Sequence, residues 1–88
     1  MPALMTKPSY KIIETETTGE VHIKINSQYN HINAAKVVVA DNITARLFGT
    51  VSELLIVGKG ARIYFHGTVT GKIENEEGEL FILSLIHI

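Results

Sequence analysis

The fold of this chain is decided by VVVADNITARLFGTVSEL (residues 37–54) and LIVGKGARIYFHGTVTGK (residues 55–72). The two segments align without a gap at a period of eighteen residues, so that Gly49 falls on Gly67. A fixed short period of β-rich sequence punctuated by turns is typical of a solenoid, in which each coil stacks on the coil before it. The repeat therefore predicts an all-β fold, a short single-stranded β-solenoid (β-helix) with coils of about 18 residues.

A third, weaker copy follows the two clear ones. In this alignment Phe81 takes the place of Ile63, and Leu83 takes the place of Phe65. We therefore expect Ile63 to lie over Ala45 and under Phe81 in the stack.

Inward and outward positions alternate through the two clear copies. Odd-numbered positions are apolar or small, so we expect their side chains to point inward and to stack one coil apart. Three short strands fit into one period, which predicts a triangular cross-section. The predicted inward positions are Val37, Val39, Ile43, Ala45, Leu47, Val51, Leu55, Val57, Ala61, Ile63, Phe65 and Val69. Corners of the coil, where Gly and Asn are favoured, are expected at Asp41-Asn42, Lys59-Gly60 and Glu77-Gly78, and near Gly49, Gly67 and Gly71.

The chain is long enough for one domain, in which three parts are distinguished. Residues 1–8 contain two prolines and no periodicity, which indicates a flexible lead-in. Residues 9–36 are expected to form a cap, either a hairpin or an irregular coil, followed by an Asn-rich loop or single helical turn at residues 27–36. Residues 37–88 are predicted to form the solenoid coils.

Composition excludes several classes of protein. With 8 basic and 9 acidic residues and a net charge of −1, the chain lacks the clustered positive charge that nucleic acid or an anionic membrane would need. It contains no cysteine, and no apolar run reaches the length of a membrane-spanning helix. Without a signal-peptide pattern, the expected location is the cytoplasm.

No catalytic, cofactor-binding or metal-binding pattern is found, so the chain is not expected to be an enzyme. The four histidines form no close metal-binding pair, and no cysteine can complete a zinc site. The acidic stretch formed by Glu74, Glu76, Glu77 and Glu79 lacks the spacing of a calcium loop, and we interpret it as a solvated turn.

Outward positions predict a strip of interface-type residues, namely Arg46, Phe48, Tyr64 and His66. The alignment also places Ile82 beside Tyr64. Such a strip has the composition favoured at protein interfaces, and it is equally consistent with ordinary cross-strand pairing on a solvated sheet.

The ending LFILSLIHI (residues 80–88) carries seven apolar side chains and no charge. A last coil of this kind offers both a free strand edge and apolar area, so something is expected to cover it. Residues 10–15 could fold across it, or a second copy of the chain could meet it, and we favour the second copy. The residues predicted for self-association are Leu80, Ile82, Leu83, Leu85 and Ile86.

The coils GARIYFHGTVTGKI and LFGTVSELLIVGKGA resemble those of the bactofilin-type, polymer-forming bacterial β-solenoids. The resemblance covers residues 37 to about 83. It implies a non-enzymatic scaffold that polymerises end to end without a nucleotide, and it implies a homo-oligomer, either a dimer or a polymer.

Two other functions fit the same sequence. One is a small inhibitory or immunity-type protein, encoded by a phage or a toxin locus, that blocks a larger protein partner through the strip or the acidic turn. The other is a carbohydrate-binding β-helix in which Tyr64 and His66 stack on sugar, although the chain contains no tryptophan.

Overall fold

The computed structural model describes residues 10–83 of the 88-residue chain, and all regular secondary structure in this range is β-strand. Every strand pairing is parallel and joins one coil to the next, which makes a β-solenoid of about four turns. The strands are β1 (Lys11–Ile13), β2 (Thr17–Ile23), β3 (Ser27–Val39), β4 (Thr44–Val57), β5 (Arg62–Val69), β6 (Lys72–Asn75) and β7 (Glu79–Ile82).

The strands stack on three sides. On the first side, β1 is followed by the starts of β3, β4 and β5 and then by β7. The second side contains residues 17–19, 32–34, 49–51 and 67–69. The third side contains residues 20–23, 36–39 and 54–57, followed by β6. The predicted three-sided coil is therefore confirmed.

The core consists of apolar columns that run along the solenoid axis. One column contains Val21, Val37 and Leu55, which are all buried. Another column runs from Tyr29 through Leu47 to Phe65. Because Tyr29 is partly buried in this column, the pKa of its phenol is raised. All the predicted inward positions are buried except Ile43 and Val69, which are partly buried and packed against the core. The alternation seen in the sequence thus identified the core correctly.

Glycine is required where β4 and β5 bend from the first side onto the second. Gly49 and Gly67 are paired and have φ values of 142° and 151°, which side chains other than hydrogen rarely allow. A Cβ at Gly49 would overlap the carbonyl oxygen of Ile32, and one at Gly67 would overlap that of Gly49. The corners expected near Gly49 and Gly67 are therefore confirmed, and direct backbone stacking closes each bend.

The alignment of the third copy was wrong by one residue. Ile63 pairs with Leu80 and Phe65 pairs with Ile82, so Phe81 and Leu83 do not take these places. The reason is a shorter turn: four residues (58–61) separate β4 from β5, whereas three (76–78) separate β6 from β7. The spacing on the first side therefore falls from eighteen residues to seventeen.

The N-terminal region forms one of the two expected caps and differs from the prediction in the loop that follows it. β1 and β2 both pair in parallel with β3, which makes an irregular first coil, the other form of cap that the sequence allowed. The loop or helical turn expected at residues 27–36 is wrong, because these residues lie in β3. Ile32 and Ala34 are buried while His31 and Asn33 are exposed, so the polar residues simply occupy the outer face. The predicted lead-in, residues 1–8, lies outside the described residues.

Candidate functional site

Aromatic side chains pair across coils on the outer face of the solenoid. Phe48 and His66 stack with ring centroids 4.4 Å apart, and Tyr64 and Phe81 stack at 5.2 Å. Arg46 lies next to Tyr64 in register and is exposed. The four residues of the predicted strip are thus brought together, but Phe81 lies beside Tyr64, so the prediction of Ile82 there was wrong.

A bulge in β3 opens a groove beside this strip. The register between β3 and β4 shifts between Tyr29 and Ile32, so two residues of β3 face Phe48 alone. The groove presents amide, carboxylate and imidazole groups around the Phe48 ring, which can donate and accept hydrogen bonds. Its lining residues are Glu16, Asn30, His31, Ile32, Asn33, Phe48 and Gly49. Sequence analysis missed the groove because a bulge changes the register without changing the pattern of apolar residues.

A surface ion pair fixes β7 to β5. Arg62 Nε lies 2.9 Å from Glu79 Oε1, and both side chains are more than half exposed. The hydrogen bond and the charge of Glu79 raise the pKa of Arg62, which is protonated in any case. Because both side chains are in contact with solvent, the pair contributes little to the stability of the fold, and β7 is held by its backbone pairing with β5.

A second charged cluster lies on the third side at the N-terminal end. His22 Nε2 lies 2.7 Å from Glu20 Oε2, and Lys36 Nζ lies 3.9 Å from the same oxygen. The hydrogen bond from His22 and the charge of Lys36 lower the pKa of Glu20. Glu20 and Lys36 are also strand partners, so this pair links the first coil to the second.

The C-terminal end of the described chain is apolar and exposed. Ile82 and Leu83 are 46% and 48% exposed, and Ile73 on the third side is 42% exposed. Ile73 and Ile82 are the last members of inward-facing columns, so their exposure results from the end of the stack. Leu80 is half-buried against the core. Leu85 and Ile86, which were also predicted to take part in self-association, lie outside the described residues.

The internal cover considered for this end is wrong. Residues 10–15 were a candidate to fold across the last coil, but β1 pairs with β3 at the opposite end of the stack. Ile12 and Ile25 are exposed at that opposite end. Each end of the described solenoid therefore presents exposed apolar side chains.

The side chains that could bind a metal ion lie apart in the described part of the chain. Within residues 10–83, no three His, Asp or Glu side chains converge as metal ligands. In the acidic turn, the side chain of Asn75 accepts a hydrogen bond from the Gly78 N–H at 2.7 Å, and the surrounding glutamates are exposed. The described part of the chain also contains no helix with the length and hydropathy needed to cross a bilayer.

Comparison of the chain with protein-family models, curated proteins and solved structures finds no match.

Proposed function

We propose that this chain is a non-enzymatic assembly module of the cytoplasm, similar in use to the bactofilin-type scaffolds, which self-associates through its C-terminal coil. The observation that carries the proposal is the apolar end formed by Ile73, Ile82 and Leu83. These side chains lie beside strand edges that can accept a further strand.

Two physical terms favour association at this end. Removing apolar surface from water contributes about 25 cal/mol for each Å² buried. A strand of another chain would also satisfy the backbone groups of β7 and β6 that point along the solenoid axis. The parallel stack inside the molecule is the same kind of contact, so assembly would extend an interaction that the fold already uses.

Native mass measured by light scattering over a wide concentration range tests this proposal. We expect oligomers for the unaltered chain and a shift toward monomer for Ile82→Glu and Leu83→Glu. Thr68→Glu, on the exposed outer face of β5, is the matched control and should leave the mass unchanged. A strictly monomeric unaltered chain would contradict the proposal. Circular dichroism of each variant separates loss of assembly from loss of fold.

A second candidate function is the blocking of a larger protein partner, as an inhibitory or immunity-type protein would do. It is supported by the two ring stacks beside the exposed Arg46, because aromatic and arginine side chains carry much of the binding energy at interfaces. If this candidate is right, Arg46→Ala and Tyr64→Ala abolish capture of the partner and leave the native mass unaltered. Capture that depends on Ile82 and not on these two residues would contradict it.

A further inference from the structure

We propose that β6 pairs antiparallel with the β6 of a second copy, about a twofold axis that passes between Ile73 and its copy. The inference rests on the proposed function, since it names the strand, the symmetry and the ion pairs of the C-terminal contact.

The outer edge of β6 is where a second copy can add a strand. β6 pairs with β4 on one edge, and its other edge has no strand among residues 10–83. Its side chains continue the columns of the third side. Ile73 follows Val21, Val37 and Leu55, which are all buried, yet it is 42% exposed. A strand placed on this edge would bury Ile73 as its three predecessors are buried.

The charges on β6 are arranged so that the strand is complementary to itself. Lys72 and Glu74 flank Ile73 and point to the outer face, with exposed side chains. In an antiparallel pair centred on Ile73, Lys72 lies opposite the partner's Glu74, and Glu74 lies opposite the partner's Lys72. Ile73, the inward-facing residue at the centre, lies opposite the Ile73 of the second copy, so two apolar side chains are in contact.

The third side already contains a contact between a lysine and a glutamate on neighbouring coils. Glu20 and Lys36 are paired between the first and second coils, with 3.9 Å between the Lys36 Nζ and Glu20 Oε2 atoms. A Lys72–Glu74 contact between copies would repeat this pairing of opposite charges at the other end of the third side. It would occur twice, because the twofold axis makes the interface identical for both chains.

The C-terminal end of the described stack is stepped. Among the described residues the first side contains five strands, ending in β7, while the second and third sides contain four each. A strand added to β6 therefore lies in the same layer of the stack as β7 on the first side.

A head-to-tail joint at the same strand is excluded by the same step. To place residues 20–23 of one copy on β6 of another, the first copy must also bring its β1 onto the first side of the stack. That space is occupied by β7, because β1 and β7 belong to the same side. Of these two arrangements, the antiparallel pairing of β6 with the β6 of a second copy is therefore the one that fits.

Charge reversal tests the proposal. Lys72→Glu and Glu74→Lys should each weaken self-association about tenfold, because each places like charges opposite one another twice. An equimolar mixture of the two variants should associate as a heterodimer with the affinity of the unaltered chain, since both contacts are then between opposite charges. Lys11→Glu and Glu14→Lys, exposed positions at the opposite end of the stack, are the controls and should have no effect.

Cross-linking gives a second measurement. The chain contains no cysteine, so Ile73→Cys introduces the only thiol. At a twofold axis the thiol meets its own copy, and oxidation should yield a disulfide-linked dimer, whereas Thr68→Cys should not. If the unaltered chain self-associates but the mixed charge variants do not rescue and Ile73→Cys does not cross-link, this inference is overturned while the proposed function stands. If the unaltered chain is monomeric, both are overturned.

Discussion

Phe48 and His66 lie on neighbouring coils with their rings 4.4 Å apart and within 6° of parallel. They are strand partners eighteen residues apart, so the stack follows from the repeat itself. Next to them, Tyr64 stacks on Phe81 in the following coil. The aromatic residues of the outer face are therefore packed in pairs across neighbouring coils.

This ring stack should contribute to stability beyond the area that it buries. In a double-mutant cycle with Phe48→Leu and His66→Leu, we expect a coupling free energy of about 0.5–1.5 kcal/mol. Urea unfolding of the two single variants and the double variant measures it. A coupling near zero would mean that the two rings are neighbours only because the backbone places them so.

Substitution of Gly67 should destabilise the fold through the backbone. Gly67→Ala places a Cβ on the carbonyl oxygen of Gly49 at a φ of 151°, and we expect a loss of about 3 kcal/mol or more. Gly19 is the matched control: its φ is 79°, but no atom lies within 4 Å of an added Cβ. Gly19→Ala should therefore cost only the conformational strain, about 1 kcal/mol. Equal losses for the two variants, measured by urea unfolding, would contradict the role given to backbone stacking.

Truncation of Phe65 should nearly unfold the domain. Its side chain is fully buried among the inward columns, and Phe65→Ala should cost about 3–5 kcal/mol through lost burial and the cavity left behind. Phe81→Ala removes the same atoms from a side chain that is 41% exposed and should cost less than half as much. Thermal unfolding followed by circular dichroism distinguishes the two variants.

Acidification should weaken the link between the first and second coils. The pKa of Glu20 is held below its ordinary value of 4.5 in the folded chain, chiefly by the hydrogen bond from His22. A carboxylate with a lowered folded-state pKa contributes stability that is present above pH 4.5 and is lost as the pH falls through the lowered value. Glu20→Gln should remove this part of the pH dependence, whereas Glu53→Gln, at another exposed position, should retain it. Urea midpoints measured between pH 3 and pH 7 check this, and identical profiles for the unaltered chain and Glu20→Gln would contradict it.

One turn contains strain that a substitution can relieve. Glu77 has a φ of 72°, a left-handed conformation that costs a non-glycine residue about 1 kcal/mol. Asparagine adopts this conformation more readily, and Asn42 does so at the equivalent turn between β3 and β4, with a φ of 62°. Glu77→Asn should therefore stabilise the fold by up to about 1 kcal/mol, and Asn42→Glu should destabilise it by a similar amount. A lower urea midpoint for Glu77→Asn would show that the glutamate side chain makes a contribution of its own.

The sequence predicted what depends on repetition and failed where the period changes. Leu47 and Phe65 were placed in the core because alternation and the eighteen-residue repeat agree there, and both are fully buried. Phe81 was misplaced because a turn that is one residue shorter cannot be seen when only a single weak copy follows it. The strand at residues 27–36 was missed because Asn and Gln suggested a loop, although one buried face needs only every second residue to be apolar.

The outer strip was predictable for a related reason. Arg46 and Tyr64 face outward because their neighbours in sequence face inward, so register and alternation together fix their position. The groove beside Phe48 depends on where β3 bulges, which is a property of backbone packing at the Ile32–Gly49 bend. No spacing in the sequence marks that position.

The gap-free match between residues 44–51 and residues 62–69 has a consequence for the length of the molecule. Each coil contacts only the coils next to it, so a tandem duplication of residues 55–72 would introduce no new kind of neighbour. Such a duplication should lengthen the rod by one strand spacing, about 4.8 Å, and leave both ends chemically unchanged. The length of the rod is therefore an adjustable property, set by the number of eighteen-residue units in the chain.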